Sequence, residues 1–217
     1  YADYSDKNLY KESVTRIKPP VVIATPDNFA EYGNFVYDYN AENVTIVQWP
    51  TPAGGRPLMP GTGIGGGITE GVFDYWYEGD KLHAINNAVG GDYIIGKIET
   101  RDSGNQYILT REANYHPDSG QVFYPADPRG KIGFMLLLSL PGDDIKPTDF
   151  ILFKFDGSCG VQIKPGIWHQ PIYFIQNDIS GPRARFVTKQ GRVHGCVGVD
   201  FINEFNTWIS IPFMHGY

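Results

Sequence analysis

The sequence predicts an all-β domain, and three observations carry that prediction. The 217-residue chain holds 26 Gly, 16 Pro and 14% aromatic residues, a mix of turn formers and strand formers. No long Ala/Leu/Glu/Lys-rich stretch offers a helix of several turns. Short apolar runs recur at regular spacing, divided by turn signals such as EGD, SGN, DSG and PGDD. That rhythm indicates a sandwich or barrel of antiparallel strands, with no internal repeat and no linker.

Taken in order, residues 1–19 are polar and predict an N-terminal arm, leaving 20–217 as a single domain. VVIAT (21–25) is a short apolar run. TPDNFAEYG (25–33) predicts a brief helix, with Thr25 as N-cap, Pro26 at the first helical position, Asp27 in the first turn and Gly33 as the stop. FVYDY and NVTIVQW (35–49) read as strands. Residues 50–68 form a Gly/Pro-rich loop. Its GTGIGGG piece is not a phosphate loop, because no Lys-Ser/Thr and no helical pattern follow; a loop over the mouth of a site is expected instead. Strands are then predicted over 69–78, 81–86, 93–99, 106–112, 121–125, 132–140, 150–155, 172–176, 184–189, 196–202 and 207–213.

Charge and composition exclude some partners. The net charge is −6 and the 18 basic residues are scattered, so nothing tracks a nucleic-acid backbone. No apolar run approaches the ~18 residues of a membrane span; the longest, 134–141, is strand length. Two cysteines, Cys159 and Cys196, make neither a disulfide framework nor a zinc ribbon and read as small buried strand residues. The chain begins at Tyr1 without Met, which is compatible with a removed leader.

Of five histidines, two sit in chemical company. In REANYHPDSGQVFYP (111–125), His116 closes one strand, a DSG turn follows and Gln121 opens the next. A hairpin there would aim both into one interior. Glu112 lies four residues before His116, on the same face by strand alternation. In IKPGIWHQP (163–171), a Pro165-Gly166 turn precedes Trp168 and His169. His194 and His215 occupy polar or terminal settings and are expected at the surface. His83 lies in a strand without polar neighbours.

These two segments resemble the paired motifs of small metal-binding barrels. The resemblance implies a cupin-like double-stranded β-helix barrel with one or two short helices. Asn114 stands where such a motif has an additional His, and Gln121 where it has a Glu. The resemblance therefore implies that His116, Gln121 and His169 would hold a divalent metal only weakly, for want of an anionic ligand. The alternative is a metal-free pocket in which the same groups do acid–base work.

The order AEYGNFV (30–36), AINNA (84–88), HPDSGQVFYP (116–125), DGSCGVQIKPGIWHQP (156–171) and CVGVDFINEF (196–205) resembles the cupin-type ureidoglycolate lyases. Tyr115 stands where those lyases often have Arg, Gln170 where they have a second His, and 45–80 looks like an insertion. The resemblance implies cleavage of ureidoglycolate, a carbinolamine, to glyoxylate and urea. That reaction needs a base for the hydroxyl proton and an acid for the departing nitrogen, and histidine suits both. His116 and His169 are the expected pair. Lys164 would hold the substrate carboxylate. Gln121 would hydrogen-bond the substrate, as would Asn86 or Asn87, whichever faces inward. Trp168 is expected as a site wall, and Glu112 as an orienting group or second base. Two other readings stay open: a cupin lyase or isomerase for another small hydroxy or sugar acid, and a non-catalytic binding cupin. The expected partners are a small carboxylate substrate and a second copy of the chain in a homodimer, in the cytoplasm; the terminal HGY is not a peroxisomal address.

Overall fold

Alternating and apolar runs become strands in the computed structural model, which describes residues 3–49, 55–63, 65–101, 104–127, 132–174 and 183–213. The chain runs through β1 (Thr15–Ile17), β2 (Val21–Ile23), α1 (Pro26–Phe29), β3 (Gly33–Val36), β4 (Ile68–Glu78), β5 (Lys81–Asn86), β6 (Gly91–Thr100), β7 (Gln106–Thr110) and β8 (Glu112–Tyr115). It continues through β9 (Gln121–Pro125), β10 (Phe134–Ser139), β11 (Ile151–Phe155), β12 (Gly160–Ile163), β13 (Trp168–His169) and β14 (Tyr173–Phe174). It ends with β15 (Ala184–Gly191), β16 (Val197–Asp200), α2 (Phe201–Phe205) and β17 (Thr207–Pro212).

The strands form two sheets. One has the order β1-β17-β7-β6-β5-β4-β15-β9-β12-β3; the other has β16-β8-β13-β10-β11-β2, with β14 also paired to β10. Pairing is antiparallel except where β1 meets β17 and β2 meets β11. The all-β, cupin-like expectation holds as two facing sheets; among the described residues the hydrogen bonds do not close one continuous ring.

The main core lies between the sheets. Phe134 of one and Phe186 of the other meet edge to face, centroids 5.2 Å apart, the arrangement aromatic quadrupoles prefer. Every residue of β10, FMLLLS, is buried, so an unbroken apolar run replaces alternation there. No helix among the described residues is long and apolar enough to cross a membrane. Cys159 and Cys196 are both free.

The α1 helix starts as its sequence dictates. Thr25 Oγ1 accepts from the Asn28 N–H, and Asn28 Oδ1 accepts from the Thr25 N–H, so two end donors are satisfied reciprocally. Gly33 opens β3 for a different reason than stopping a helix: a Cβ there would run into the Gln162 carbonyl of β12.

Four expectations are corrected. Residues 43–49 are not a strand; Ile46 makes only an isolated bridge to Ser119, while Thr45 takes irregular partners, its N–H donating to Gln162 Oε1 and its carbonyl accepting from Gly120. Residues 196–202 split after Asp200, whose Oδ1 caps Ile202 and Asn203 and starts α2; the helix stops where Asn206 turns left-handed at φ 48°. Residues 106–112 break at Arg111, and β7 and β8 belong to opposite sheets. The N-terminal segment is not a free arm: Tyr4 is buried and its hydroxyl donates to Ile95 O at 3.1 Å. Tyr10 stacks on Trp208 at 5.3 Å. The expected strand at 172–176 survives as β14, with residues 175 and 176 outside the described residues.

The buried Tyr4 makes the N-terminal segment part of the core. Tyr4→Ala should therefore cost about 3–5 kcal/mol, read as a lowered denaturant midpoint. An unchanged midpoint would return the segment to the status of an arm.

Candidate active site

Three segments cross from the larger sheet to the smaller one or back, and they meet. Residues 116–120 join β8 to β9, 164–167 join β12 to β13, and 192–196 join β15 to β16. Backbone groups in a crossing have no ladder partner and must find other partners when buried. Here they find one another. The Gly166 N–H donates to the His116 carbonyl at 2.9 Å, which Gly166 can do from a left-handed φ of 80°. The Gly195 N–H donates to Asp118 Oδ1 at 2.9 Å, and the Gly191 N–H to Ser119 Oγ at 2.9 Å. The DSG segment is thus a crossing between sheets rather than the hairpin its sequence suggests.

A cavity of about 510 Å³ opens at this end. His116, Gln121, His169, Asn86, Glu112 and Asn114 all line it. The Gly/Pro-rich loop supplies its rim through Met59 to Thr62, as expected of a loop at a site mouth; residues 50–54 and 64 lie outside the described residues. The rim is tied down by the Met59 N–H to Cys196 O at 2.7 Å and by the Cys196 N–H to Thr62 Oγ1 at 3.1 Å.

The two imidazoles are held alike. His116 Nδ1 lies 2.7 Å from Gly195 O, and His169 Nδ1 lies 2.8 Å from Ile167 O. A carbonyl only accepts, so Nδ1 carries the proton in both and Nε2 is the nitrogen left for chemistry. Their ring centroids are 4.9 Å apart. Burial pulls His169 down to about 4, against the opposing pull of the Ile167 carbonyl. His116 is pulled well below its ordinary range, first by burial and then by His194 and His169. In both, burial disfavours the charged form.

Strand alternation sorts the other expected residues. On β13, His169 faces the cavity, so Trp168 faces away; it is fully buried, its Nε1 donates to Gly142 O at 2.8 Å, and Tyr115 meets it edge-on at 4.7 Å. Trp168 supports the site without lining it. Asn86 faces the cavity, and Asn87 faces outward with Oδ1 accepting from the Val72 N–H at 2.6 Å. Lys164 is not in the cavity. Its Nζ donates to Ala30 O at 2.6 Å, at the C-terminal end of α1, where helix carbonyls attract a cation. Gln170 donates to the Glu112 carbonyl and steadies β8.

Three site residues escaped sequence reasoning. His194, expected at the surface, lines the cavity and lies tilted against His116, ring planes 35° apart; burial pulls it down to about 3. Arg192 is the one Lys or Arg among the described cavity-lining residues. Gln190 lies behind Gln121, directly opposite it in the β15–β9 pairing. No local pattern marks any of them: the third crossing brings Arg192 and His194 here, and the β15–β9 register brings Gln190. His215 lies outside the described residues.

A divalent metal does not fit this donor set well. Gln121 Oε1 and His169 Nε2 lie 3.1 Å apart. Among the described residues no three His, Cys, Asp or Glu side chains are arranged to hold an ion. The anionic ligand that would compensate is a neutral Gln here.

Residues 104–195 match the ureidoglycolate lyase family. The match takes in the first two crossings and nearly all of the third, with His116, Gln121, His169, Gln190, Arg192 and His194. A protein named ureidoglycolate lyase from Azotobacter vinelandii is 31% identical over 71 residues, which is 33% of this chain and 41% of that relative. The chain therefore spans about two fifths of the length of the curated relative it matches. The resemblance read from the sequence holds for this central segment, where the site is built.

Glu112 lies in the cavity as a strained carboxyl. Burial raises its pKa, and the charge of Asp200 adds to the rise. A carboxyl raised in the folded state favours folding most fully below its unfolded value of about 4.3 and loses that contribution as pH rises through the folded value. Glu112→Gln should therefore be more stable than wild type at pH 7 and equal or less stable below pH 4. A pH series of denaturant midpoints reads this; parallel curves would refute it.

Proposed function

We propose that this chain cleaves ureidoglycolate to glyoxylate and urea. The observation that carries the reading is the pair of neutral imidazoles, each with Nδ1 tied to a carbonyl, in one cavity built by the family-matched segment. The reaction needs no net proton. The substrate O–H bond breaks and its electron pair forms the aldehyde C=O; the C–N pair leaves with the ureido nitrogen, which takes a proton. One proton out is one proton in.

A buried neutral imidazole suits that transfer. It accepts the hydroxyl proton through Nε2, and the imidazolium it becomes is a strong acid because burial disfavours its charge. The proton is thereby released readily to the leaving nitrogen, 4.9 Å being the separation of the two rings that can handle it. Arg192 takes the role first assigned to Lys164 and holds the substrate carboxylate at the mouth. Gln121, Asn114 and Asn86 offer amide groups to the ureido end. Glu112, kept more protonated by burial, can donate to the ureido carbonyl.

His116→Ala and His169→Ala should each lower kcat by about 10²–10⁴-fold while the variants remain folded. Arg192→Ala should raise KM far more than it lowers kcat, and Lys164→Ala should leave both unchanged. Urea and glyoxylate release from racemic ureidoglycolate reads all four. Near-normal turnover in both histidine variants would overturn the assignment. A chelator should leave the rate unchanged; loss of activity that a divalent ion restores would overturn the metal-free reading.

A further inference from the structure

We infer that Arg56 is a positioning residue. It fastens the Gly/Pro-rich loop to elements of the smaller sheet, and the loop holds the third crossing so that Arg192 meets the substrate carboxylate at a fixed place. This rests on the role given to Arg192 above.

The third crossing needs partners from outside itself. Residues 192–196 have left β15 and not yet reached β16, so no ladder takes their backbone groups. The loop takes them. The Arg192 N–H donates to Gly67 O at 2.9 Å, and Val193 O accepts from the Gly63 N–H at 2.9 Å. At Cys196 both backbone groups are bonded. Its carbonyl accepts from the Met59 N–H at 2.7 Å, and its N–H donates to Thr62 Oγ1 at 3.1 Å. Thr62 is itself folded back, its Oγ1 donating to Met59 O at 2.8 Å. The loop thus completes the backbone bonding of the crossing at Arg192, Val193 and Cys196.

At its other end the loop is anchored by Arg56, whose guanidinium reaches three separate elements. Nε donates to Asp143 O at 2.8 Å, in the turn after β10. Nη1 donates to Gly198 O of β16 at 3.3 Å. Nη1 and Nη2 donate to the two carboxylate oxygens of Glu204 on α2 at 3.0 and 2.7 Å, a pairing that a planar fork allows and a lysine does not. Glu204 Oε1 also accepts from the Asp200 N–H at 3.1 Å, which fixes the carboxylate to the start of α2. The guanidinium lies 5.7 Å from the Trp168 ring, within reach of a cation–π attraction. Only 18% of the Arg56 side chain is exposed, and two of its acceptors are backbone carbonyls, which separates it from an ordinary solvated surface pair. The neighbouring Gly55 N–H donates to Asp143 Oδ2.

What Arg56 grips is the back of the site. Asp143 Oδ1 accepts from the Tyr115 hydroxyl at 3.2 Å, and Tyr115 packs edge-on against Trp168. Tyr115 and Trp168 immediately precede His116 and His169, so the loop is set in register with both histidines. Between the grip and the crossing lies Met59, a cavity-lining residue. It sits so close to Gly198 that a Cβ there would lie 2.3 Å from Met59 Cε. Arg56 is not among the described residues that line the cavity; it acts through the loop.

Two measurements on the 217-residue chain test this. Hydrogen–deuterium exchange read by mass spectrometry follows the crossing without turnover. In Arg56→Gln, peptides carrying the Arg192 and Cys196 amides should exchange about 2–30-fold faster, the range that one lost coupling spans. Exchange in β10 should stay unchanged. Glu204→Gln keeps an oxygen for the Asp200 N–H and should speed the same amides. Steady-state kinetics with racemic ureidoglycolate then ask whether the effect runs through Arg192. Arg56→Gln should raise KM about 2–30-fold and leave kcat nearly unchanged. In an Arg192→Ala background it should change KM no further, because residues that act as one unit are not additive. Unchanged exchange at the crossing, equal acceleration in β10, or KM effects that add would each overturn the inference. A wild type that releases no urea but shows the localised exchange change would refute the lyase reading and leave the placement of Arg192 standing. A lyase with unmoved exchange would refute the positioning alone.

Discussion

The structure depends on how its backbone crosses between two sheets. A strand satisfies its polar groups with neighbours, but a crossing leaves the ladder and must pair its amides and carbonyls inside the protein. In this chain three crossings meet at one end and bond to each other through Gly166, His116, Gly195 and Asp118. The histidines are consequences of that pairing as much as of chemistry. His116 supplies a carbonyl to one crossing and a ring N–H to another. Its tautomer is set before any ligand arrives.

The cavity follows from the same geometry. The crossings line the cavity, and Met59 to Thr62 of the Gly/Pro-rich loop form part of its rim. Loop glycines at positive φ, Gly61 and Gly63 among them, let this rim follow the third crossing closely. Polar groups turned into the space are neutral amides and imidazoles, with one arginine at the mouth and one carboxyl whose ionisation burial resists. That combination favours moving a proton over holding a permanent charge. It is consistent with the family match, which covers β7 to β15 and nearly all of the third crossing.

Much of this was legible from residues alone. The helix at Pro26 was readable because capping is local: Thr25, Pro26 and Asn28 act within one turn. The cavity residues on strands were readable as pairs of options, since alternation guarantees that only one of Asn86 and Asn87 faces inward. The same rule, applied to Trp168 and His169, would have turned Trp168 away from the cavity. Lys164 was misread because its true partner, the Ala30 carbonyl, lies 134 positions earlier in the chain. His194 was dismissed because its surroundings in sequence are polar, although its surroundings in space are buried.

By itself the sequence determined the local chemistry: strand-forming runs, a capped helix, two histidines beside turns and a glutamine where a carboxylate would change the site. Only the tertiary structure decided which of these meet. The DSG segment joins two sheets instead of two neighbouring strands, and that choice rests on pairings between β8, β9 and strands far away in the chain. The Ala88 N–H donates to Asn86 Oδ1, Asn86 Nδ2 donates to Gln190 Oε1, and Gln121 Nε2 donates to that same oxygen, so the polarity of Gln121 is set across the larger sheet. Hydrogen-bond direction passes through contacts, not along the chain, so no window of sequence contains it.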